Sequence, residues 1–366
     1  MDGCRFAGLA LAWLLLGTPS LGSEPGESPG GIAREEFRAR RMALADLLRR
    51  ELPPGGSGVL MLDSAPQPDN AVYRQESHLY YLSGTEIPRS ALVLLFDRPA
   101  ESPGKGAEAT GGRYAEYFYL PERDYRRERW QGVRAGAGGL HRETLQPDEE
   151  RREAMAITGV DRLPEGDYPP RGYPRGPVER RGDLAEHLGR FLADAEVLFH
   201  LAGPGSPGAP LTPDLAFLKQ VREQYPLIVF RDPGAALEKM RRVKSPAEVE
   251  LLRRAIEITC QAQRDALRQA RPGMAEYQVQ AIAEYRFTTE GARRPGFPSI
   301  AGAGPNSCIL HYDSNDGVLK DGDLFLLDVG AEFRRYSADV TRTFPVGGRF
   351  TAEQRKIYDV VLKAQK

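Results

Sequence analysis

The segment LFLLDVGAEFRRYSADVTRTFPV, residues 324–346, decides how the second half of this chain folds. Two apolar, strand-like runs flank a short polar bend, and each run carries one aspartate, Asp328 or Asp339. A hairpin that turns at Phe333 and Arg334 places the two aspartates directly opposite each other on one face, with Cβ atoms about 5 Å apart. A register slipped by two residues keeps them on that face as diagonal neighbours, whereas a slip by one residue separates them.

Two carboxylates that meet on a half-buried sheet repel each other, and burial makes both charges more costly. A shared proton, an arginine neighbour or a divalent cation with oxygen ligands would each offset this repulsion. Thr341 follows Asp339 by two residues and shares its face, while Arg334 and Arg335 fall in the bend, too far along to be obvious partners. The alternative is a pair of exposed aspartates on an ordinary surface hairpin, because aspartate is common near turns.

A second candidate residue, His311, lies in the segment SIAGAGPNSCILHYDSND, residues 299–316. We expect an apolar strand over Cys308, Ile309 and Leu310 that ends at His311, which is a typical position for a site residue. Taken singly, such a histidine is more often a hydrogen-bonded structural residue. A nucleophile pair of Cys308 and His311 is disfavoured, because residues three apart on a strand point to opposite faces.

The remaining patterns predict an α/β domain over residues 32–235 and an α+β domain over residues 240–366. The first domain is expected to contain a helix and a series of strands, at 32–51, 58–63, 91–97, 113–121 and 227–230, with a helix–strand pair within 183–201. The arginines of the first helix are interpreted as a solvated face: Arg38, Arg40, Arg41, Arg49 and Arg50.

The second domain is expected to begin with a capped helix. Ser245 can act as the N-cap, with Pro246 at the first helical position and Glu248 placed to complete a capping box. A second helix is expected at about 275–290.

Composition and the first residues restrict the class of protein. Lys and Arg total 50 against 51 Asp and Glu, so the net charge of −1 gives no reason to expect a nucleic-acid partner. Residues 6–17 are apolar but shorter than the ~20 residues that cross a bilayer, and residues 1–22 have the layout of a secretory signal peptide. We therefore expect an exported protein without stable membrane insertion after signal removal. Cysteine spacing suggests neither a disulfide scaffold nor a zinc ribbon, and whether Cys260 and Cys308 pair stays open.

Two groups of residues have less specific interpretations. The tyrosines of 73–75 and 80–82 are assigned to domain packing and substrate-side contacts rather than to nucleic-acid stacking, since no basic stripe surrounds them. No metal role is assigned to the scattered histidines His78, His141, His187 and His200, and Trp130 stays undecided.

Several ordered motifs together resemble the Xaa-Pro aminopeptidases of the pita-bread metallopeptidase family. These motifs are KSPAEVELLRRA, PSIAGAGPNSCILHY and LLDVGAEFRRYSADVTRTFPV in the second domain, and IAREEFRARRMALADLL, YRQESHLYYLSG and FYLPERDYRRERWQGVRAG in the first. The first domain is similar to the aminopeptidase P amino-terminal domain, and the second to the pita-bread catalytic domain. The resemblance covers about residues 32–366.

The resemblance implies a metallopeptidase that removes an N-terminal residue when proline follows it. Asp328 and Asp339 match the first and second aspartates of the family's metal-binding motif, which hold two metal ions, usually Mn²⁺, with the second aspartate bridging. His311 matches the histidine that helps to stabilise the reacting carbonyl and is the implied catalytic residue. The implied partners are peptides with proline at the second position, and full-length copies of the chain could form a homo-oligomer.

The family completes its site with a further histidine and two glutamates that follow the aspartates. No histidine follows His311 in this sequence, which ends at Lys366 within a helical pattern. We therefore expect an incomplete pita-bread domain, from a chain truncated at its C-terminus, that is inactive as given. The alternative is a pita-bread-like binding or scaffold protein that has lost its metals.

Overall fold

The computed structural model describes residues 31–66, 73–100, 112–121, 178–206 and 208–366. Predictions that concern the signal segment at 1–22, Trp130 and His141 lie outside these residues. The described residues contain one six-stranded sheet in the first half of the chain and two three-stranded sheets in the second half. The exact domain bounds, 32–235 and 240–366, stay predictions.

The six-stranded sheet has the order β4-β3-β2-β1-β5-β6. Its strands are β1 Ser57–Asp63, β2 Ala91–Asp97, β3 Tyr114–Leu120, β4 Val178–Arg180, β5 Val197–His200 and β6 Val229–Arg231. The first three pair antiparallel as a meander, whereas β5 runs parallel to β1. Strands were expected at all of these places except β4.

Helices cover both faces of this sheet. They are α1 Arg34–Arg49, α2 Ser77–Ser83, α3 Leu184–Ala193, α4 Pro213–Gln224 and α5 Gly234–Arg242. Side chains alternate along β1, so that Leu60 and Leu62 pack with Leu44 of α1, and Val59 and Met61 join the core of the opposite face. The continuous apolar runs of the central strands follow from this burial on both faces.

The interpretation of the α1 arginines as a solvated face is wrong for two of them, which are buried. Arg41 is 0% exposed, and its guanidinium contacts both carboxylate oxygens of Glu116 at 2.8 and 3.0 Å. Arg40 is 6% exposed and lies over the ring of Tyr81. From the charge pattern of the helix alone, every arginine is expected to be exposed. An arginine can nevertheless be buried when it pairs with a buried carboxylate on a neighbouring strand.

The second half contains the long helices α6 Pro246–Gln269 and α7 Glu276–Thr289, which pack together against a small sheet. The strands of this half are β7 Arg294–Pro295, β8 Ile300–Ala303, β9 Leu324–Val329, β10 Ala331–Phe333, β11 Tyr336–Ser337 and β12 Val340–Pro345, and helix α8 Ala352–Gln365 follows them. Phe325, Leu327 and Val329 of β9 face the helices.

The start of α6 confirms the predicted capping box. The hydroxyl of Ser245 accepts a hydrogen bond from the backbone N–H of Glu248 at 3.2 Å, and the Glu248 carboxylate accepts one from the N–H of Ser245 at 2.9 Å. Pro246 occupies the first turn, where a missing N–H costs no hydrogen bond.

We predict that Ser245→Ala lowers the free energy of unfolding by about 1 kcal/mol, because one N-terminal N–H of α6 loses its acceptor. Denaturant unfolding followed by circular dichroism measures the difference. The exposed Ser206→Ala is the control and should stay within about 0.5 kcal/mol of the parent. Equal effects from both changes would contradict the cap's contribution.

The tip of the β10–β11 hairpin contacts the first half of the chain. Arg334 and Arg335 occupy the turn with φ of 48° and 73°, the left-handed values that two-residue hairpin turns require. Tyr80 of α2 donates a hydrogen bond to the carbonyl of Arg334 at 3.3 Å, and Arg335 donates to the carbonyl of Gln75 at 2.6 Å. The packing interpretation of the tyrosine segments is therefore confirmed for Tyr80.

Among the residues that the structure describes, no helix combines the length and the apolar character needed to cross a membrane. Cys260 and Cys308 are both free thiols, so the two do not pair.

Candidate metal centre

The hairpin register places the two candidate aspartates as diagonal neighbours. Asp328 on β9 is paired with Thr341 on β12, and Phe333 is paired with Tyr336 across the turn. The turn therefore lies at Arg334 and Arg335, and the predicted direct opposition of the aspartates is wrong by a two-residue shift. The shared face is retained, because strand side chains alternate with a period of two.

A glycine allows the returning strand to come close beside Asp328. A Cβ atom at Gly330 would lie 1.8 Å from the carbonyl oxygen of Ala338, so no other residue type fits there without a shift of the backbone. Asp339 follows directly, and its carboxyl group lies close enough to that of Asp328 for the two to hydrogen-bond. The two carboxylates, diagonal neighbours in the ladder, thus lie beside this close approach of the two strands.

The environment of Asp328 disfavours the negative charge of its carboxylate, and a bound cation would offset this. Burial raises the pKa of Asp328, and the neighbouring Asp339 raises it further, while a hydrogen bond with Thr341 and the charge of His311 oppose the shift. Its Oδ1 atom is buried without a hydrogen-bond partner. The three sequence-predicted site residues therefore interact electrostatically.

This arrangement fits a divalent cation as part of a larger ligand set. The carboxylate pair offers hard oxygen ligands, the type that Mn²⁺ and Mg²⁺ prefer, and the unpartnered Oδ1 of Asp328 leaves one position for such an ion. Within the described ranges, however, no group of three or more His, Cys, Asp or Glu side chains could hold a metal ion. Two carboxylates alone would hold a metal weakly.

The segment that carries His311 differs from the sequence expectation. Residues 304–308 form a short 3₁₀ turn, and the residues between it and His311 form no strand. Leu310 is 89% exposed and His311 is also exposed. The apolar run was misleading because its side chains do not enter the core, and the strand of this region is β8, which ends at Ala303.

Glu276 holds this exposed segment in place. No sequence pattern had indicated a role for Glu276. The side chain is 0% exposed, and its carboxylate accepts four hydrogen bonds. The donors are Ala303 N at 2.7 Å, Asn306 Nδ2 at 3.0 Å, Tyr312 Oη at 2.8 Å and Gly317 N at 2.8 Å. Burial and the bond to Glu276 raise the pKa of Tyr312 to about 12. Tyr312 is the sequence neighbour of His311. The hydrogen bonds of Glu276 therefore also fix the position of the exposed histidine.

Two further polar side chains complete this support. Asn315 accepts a hydrogen bond from the N–H of Ala301 at 3.0 Å and donates to the carbonyl of Ser299 at 2.8 Å. Gln263 of α6 donates to the carbonyls of Leu327 and Val340 at 3.0 and 2.7 Å, so it bridges β9 and β12 next to the aspartates. A glutamine on the apolar side of a helical pattern is the one sequence signal that would have indicated Gln263.

We predict that Asp328→Asn makes the metal-free protein more stable near neutral pH, by a few degrees in unfolding temperature. A carboxyl whose pKa is raised on folding contributes stability below its unfolded pKa of about 3.9, and this contribution is lost as the pH rises through the folded pKa. The increase in unfolding temperature of Asp328→Asn over the parent should therefore disappear near pH 3. Thermal unfolding in chelator across this pH range measures it.

The exposed Asp321→Asn serves as the control and should leave the unfolding temperature unchanged. A parent protein that is more stable than Asp328→Asn at pH 7 in chelator would contradict the electrostatic account of the pair.

Both halves of the chain match known families. Residues 250–366 match the family model described as metallopeptidase family M24, and residues 37–148 match that of the aminopeptidase P N-terminal domain. The Xaa-Pro aminopeptidase of Escherichia coli strain K12 is 31% identical over 342 residues, which cover 91% of this chain and 67% of that protein. The Xaa-Pro aminopeptidase of Haemophilus influenzae is 30% identical over 92% of this chain and 66% of its own length.

Solved structures give the same result. Aminopeptidase P from Escherichia coli with the inhibitor Pro-Leu superposes with a TM-score of 0.68 at 31% identity, over 91% of this chain and 66% of that chain. Proline aminopeptidase P II from Yersinia pestis gives a TM-score of 0.69 at 31% identity, with 91% and 67% covered. This chain thus spans about two thirds of the length of its relatives. With both domain types matched in order, the chain belongs to the Xaa-Pro aminopeptidases of metallopeptidase family M24, which are hydrolases built from an aminopeptidase P N-terminal domain and a pita-bread domain.

Proposed function

We propose that this chain contributes the first part of a dinuclear metal site that hydrolyses the bond between an N-terminal residue and a following proline. The single observation that carries the proposal is the buried, unpartnered Oδ1 of Asp328 beside the carboxyl group of Asp339. Membership of the family supports the reaction class. The proposed metal is Mn²⁺, and the proposed substrates are peptides with proline at the second position.

In this proposal each residue has one role. Asp328 and Asp339 would hold the metal ions, which would supply Lewis-acid polarisation of the scissile carbonyl and a nucleophilic water near neutral pH. His311 donates a hydrogen bond to the carbonyl oxygen as negative charge develops on it. Thr341 hydrogen-bonds with Asp328 and orients that carboxylate. The Xaa–Pro amide is tertiary and lacks an N–H, so a pocket shaped for the proline ring would select it sterically.

The sequence of 366 residues does not supply every group that this chemistry needs. It has no histidine after His311, and two carboxylates leave a metal short of ligands and the reaction short of a general acid and base. We propose that the 366-residue polypeptide is inactive by itself and that hydrolysis requires further ligands. We also propose export through residues 1–22 and association of copies as a homo-oligomer in the complete protein.

Release of arginine from the peptide Arg-Pro-Pro tests this proposal. With added Mn²⁺, the 366-residue polypeptide should release no more arginine than a chelated control, whereas a gene product that carries further histidine and carboxylate ligands should release it. Arg-Ala-Pro should be a poor substrate for that product. Metal-dependent release by the 366-residue polypeptide would contradict the need for further ligands. No release by any longer product would favour the alternative, a pita-bread-like binding or scaffold protein.

A further inference from the structure

A cavity of about 470 Å³ lies where the two halves of the chain meet. We call it the junction cavity, and its basic lining consists of Arg74, Arg241, Arg242, Lys244 and Arg335. The hydroxyl-bearing residues Ser77, Tyr80 and Tyr336 also line it, whereas Asp328, Asp339 and His311 do not. The volume is in the range of ordinary small-molecule sites, about 300–1,000 Å³.

The lining of the junction cavity carries an excess of positive charge. Its five basic side chains face two carboxylates, Glu238 and Glu248. Glu248 is 2% exposed and already serves the cap of α6, the hydroxyl of Tyr336 at 2.9 Å and the guanidinium of Arg40 at 3.3 Å. Because the Glu248 carboxylate already accepts these hydrogen bonds and pairs with Arg40, it does little to neutralise the basic side chains of the cavity.

The two arginines from opposite halves, Arg74 and Arg335, each contact a carboxylate. Arg74 contacts Glu332 at 2.6 Å, but the same carboxylate lies 3.3 Å from Arg294. Arg335, whose side chain is 7% exposed, contacts Glu86 at 3.2 Å and lies over the ring of Tyr80. Burial lowers the pKa of Arg335, and the charge of Arg74 lowers it further, whereas Glu86 and Glu332 oppose the shift.

The other three basic side chains form no ion pair with a carboxylate of the part of the chain that the structure describes. Arg241 contacts the ring nitrogen Nδ1 of His78 at 3.1 Å, and Lys244 donates a hydrogen bond to the backbone carbonyl of Arg241. Arg242 is exposed and forms no hydrogen bond or ion pair with the part of the chain that the structure describes. These side chains can turn toward an anion at little cost.

From these contacts we infer that the junction cavity binds a small polyanion that carries phosphate groups, with diphosphate as its minimal unit. Guanidinium groups match phosphate oxygens in a two-pronged geometry, and hydroxyls such as that of Ser77 add donors of the type that phosphate accepts. Such a ligand would contact both halves of the chain at once and so would hold them together. This inference goes beyond the proposed hydrolysis and does not depend on a metal.

Titration calorimetry with pyrophosphate on the 366-residue polypeptide, in chelator and at fixed ionic strength, tests the inference. We expect saturable binding at one site, and a loss of at least about tenfold in affinity for Arg242→Glu combined with Lys244→Glu. The matched control is Arg349→Glu combined with Lys356→Glu, which makes the same change of charge at exposed positions outside the cavity. Its affinity should stay within about twofold of the parent. Circular dichroism confirms that each variant is folded.

Citrate and inorganic phosphate distinguish the chemistry of the ligand. Pyrophosphate should bind more tightly than either at equal ionic strength. Equal affinity for citrate and pyrophosphate would overturn the assignment to phosphate compounds, and equal losses in the two double variants would overturn the site. Absence of saturable pyrophosphate binding to the folded parent would overturn the inference as a whole, and none of these results bears on the metal centre.

Discussion

Asp339→Asn is expected to lower kcat/KM for Arg-Pro-Pro by about a thousandfold or more in a gene product that carries the complete ligand set. Metal ions held by this residue would supply several kcal/mol of transition-state stabilisation, and each 1.36 kcal/mol corresponds to a factor of ten in rate. Asparagine has nearly the shape of aspartate but lacks the negative charge with which Asp339 would hold metal. Initial rates at several Mn²⁺ concentrations measure the effect.

The position of Asp339 explains why the loss should not be recovered by added metal. Its carboxyl group lies within hydrogen-bonding reach of that of Asp328 and raises the pKa of Asp328. Asp321→Asn removes an exposed carboxylate outside the site and should retain activity within about twofold. A retained rate in Asp339→Asn, or an equal loss in Asp321→Asn, would contradict the role given to Asp339.

Glu276→Ala is expected to cost about 3–5 kcal/mol in the free energy of unfolding of the second half of the chain. The change leaves the buried backbone N–H of Ala303 and the partly buried N–H of Gly317 without an acceptor, and an unsatisfied buried group costs about 1–3 kcal/mol. The hydroxyl of Tyr312 and the amide of Asn306 lose the same partner. Denaturant unfolding measures the stability, and hydrogen exchange shows where protection is lost.

Glu284→Ala is the matched control for this prediction. Glu284 lies on the same helix but is only half-buried, and its carboxylate accepts hydrogen bonds from the side chains of Ser299 and Gln280. We expect it to cost about 1 kcal/mol and to leave the exchange of residues 300–318 nearly unchanged. Equal costs for the two variants, or unchanged exchange at residues 300–318 in Glu276→Ala, would contradict the anchoring of the His311 segment by Glu276.

Local sequence patterns predicted much of the fold. Strands that alternate or run continuously apolar predicted β1, β2, β3 and β9, and the Ser-Pro-x-Glu pattern predicted the start of α6. Periodicity also placed Asp328 and Asp339 on one face, since that face survives a two-residue shift. The shift itself depends on the left-handed turn at Arg334 and Arg335, residues that carry no usual signal for such a turn.

Long-range contacts explain what the sequence did not predict. Arg41 was interpreted as solvated because the carboxylate that buries it, Glu116, lies 75 positions later in the chain. Glu276 accepts hydrogen bonds from residues 27 to 41 positions away, and no local pattern marks such an acceptor. The apolar residues before His311 suggested a strand, but apolar character alone does not determine whether a segment reaches the core.

Metal binding by Asp328 and Asp339 together is the property on which the proposed function depends. Electron paramagnetic resonance of Mn²⁺ measures the free ion during titration of the 366-residue polypeptide. We predict one class of weak site, with a dissociation constant of about 10⁻⁴–10⁻³ M, that is lost in Asp328→Asn and in Asp339→Asn but kept in Asp321→Asn. Binding that is unchanged in both site variants, or no binding to the folded parent at millimolar Mn²⁺, would contradict the account.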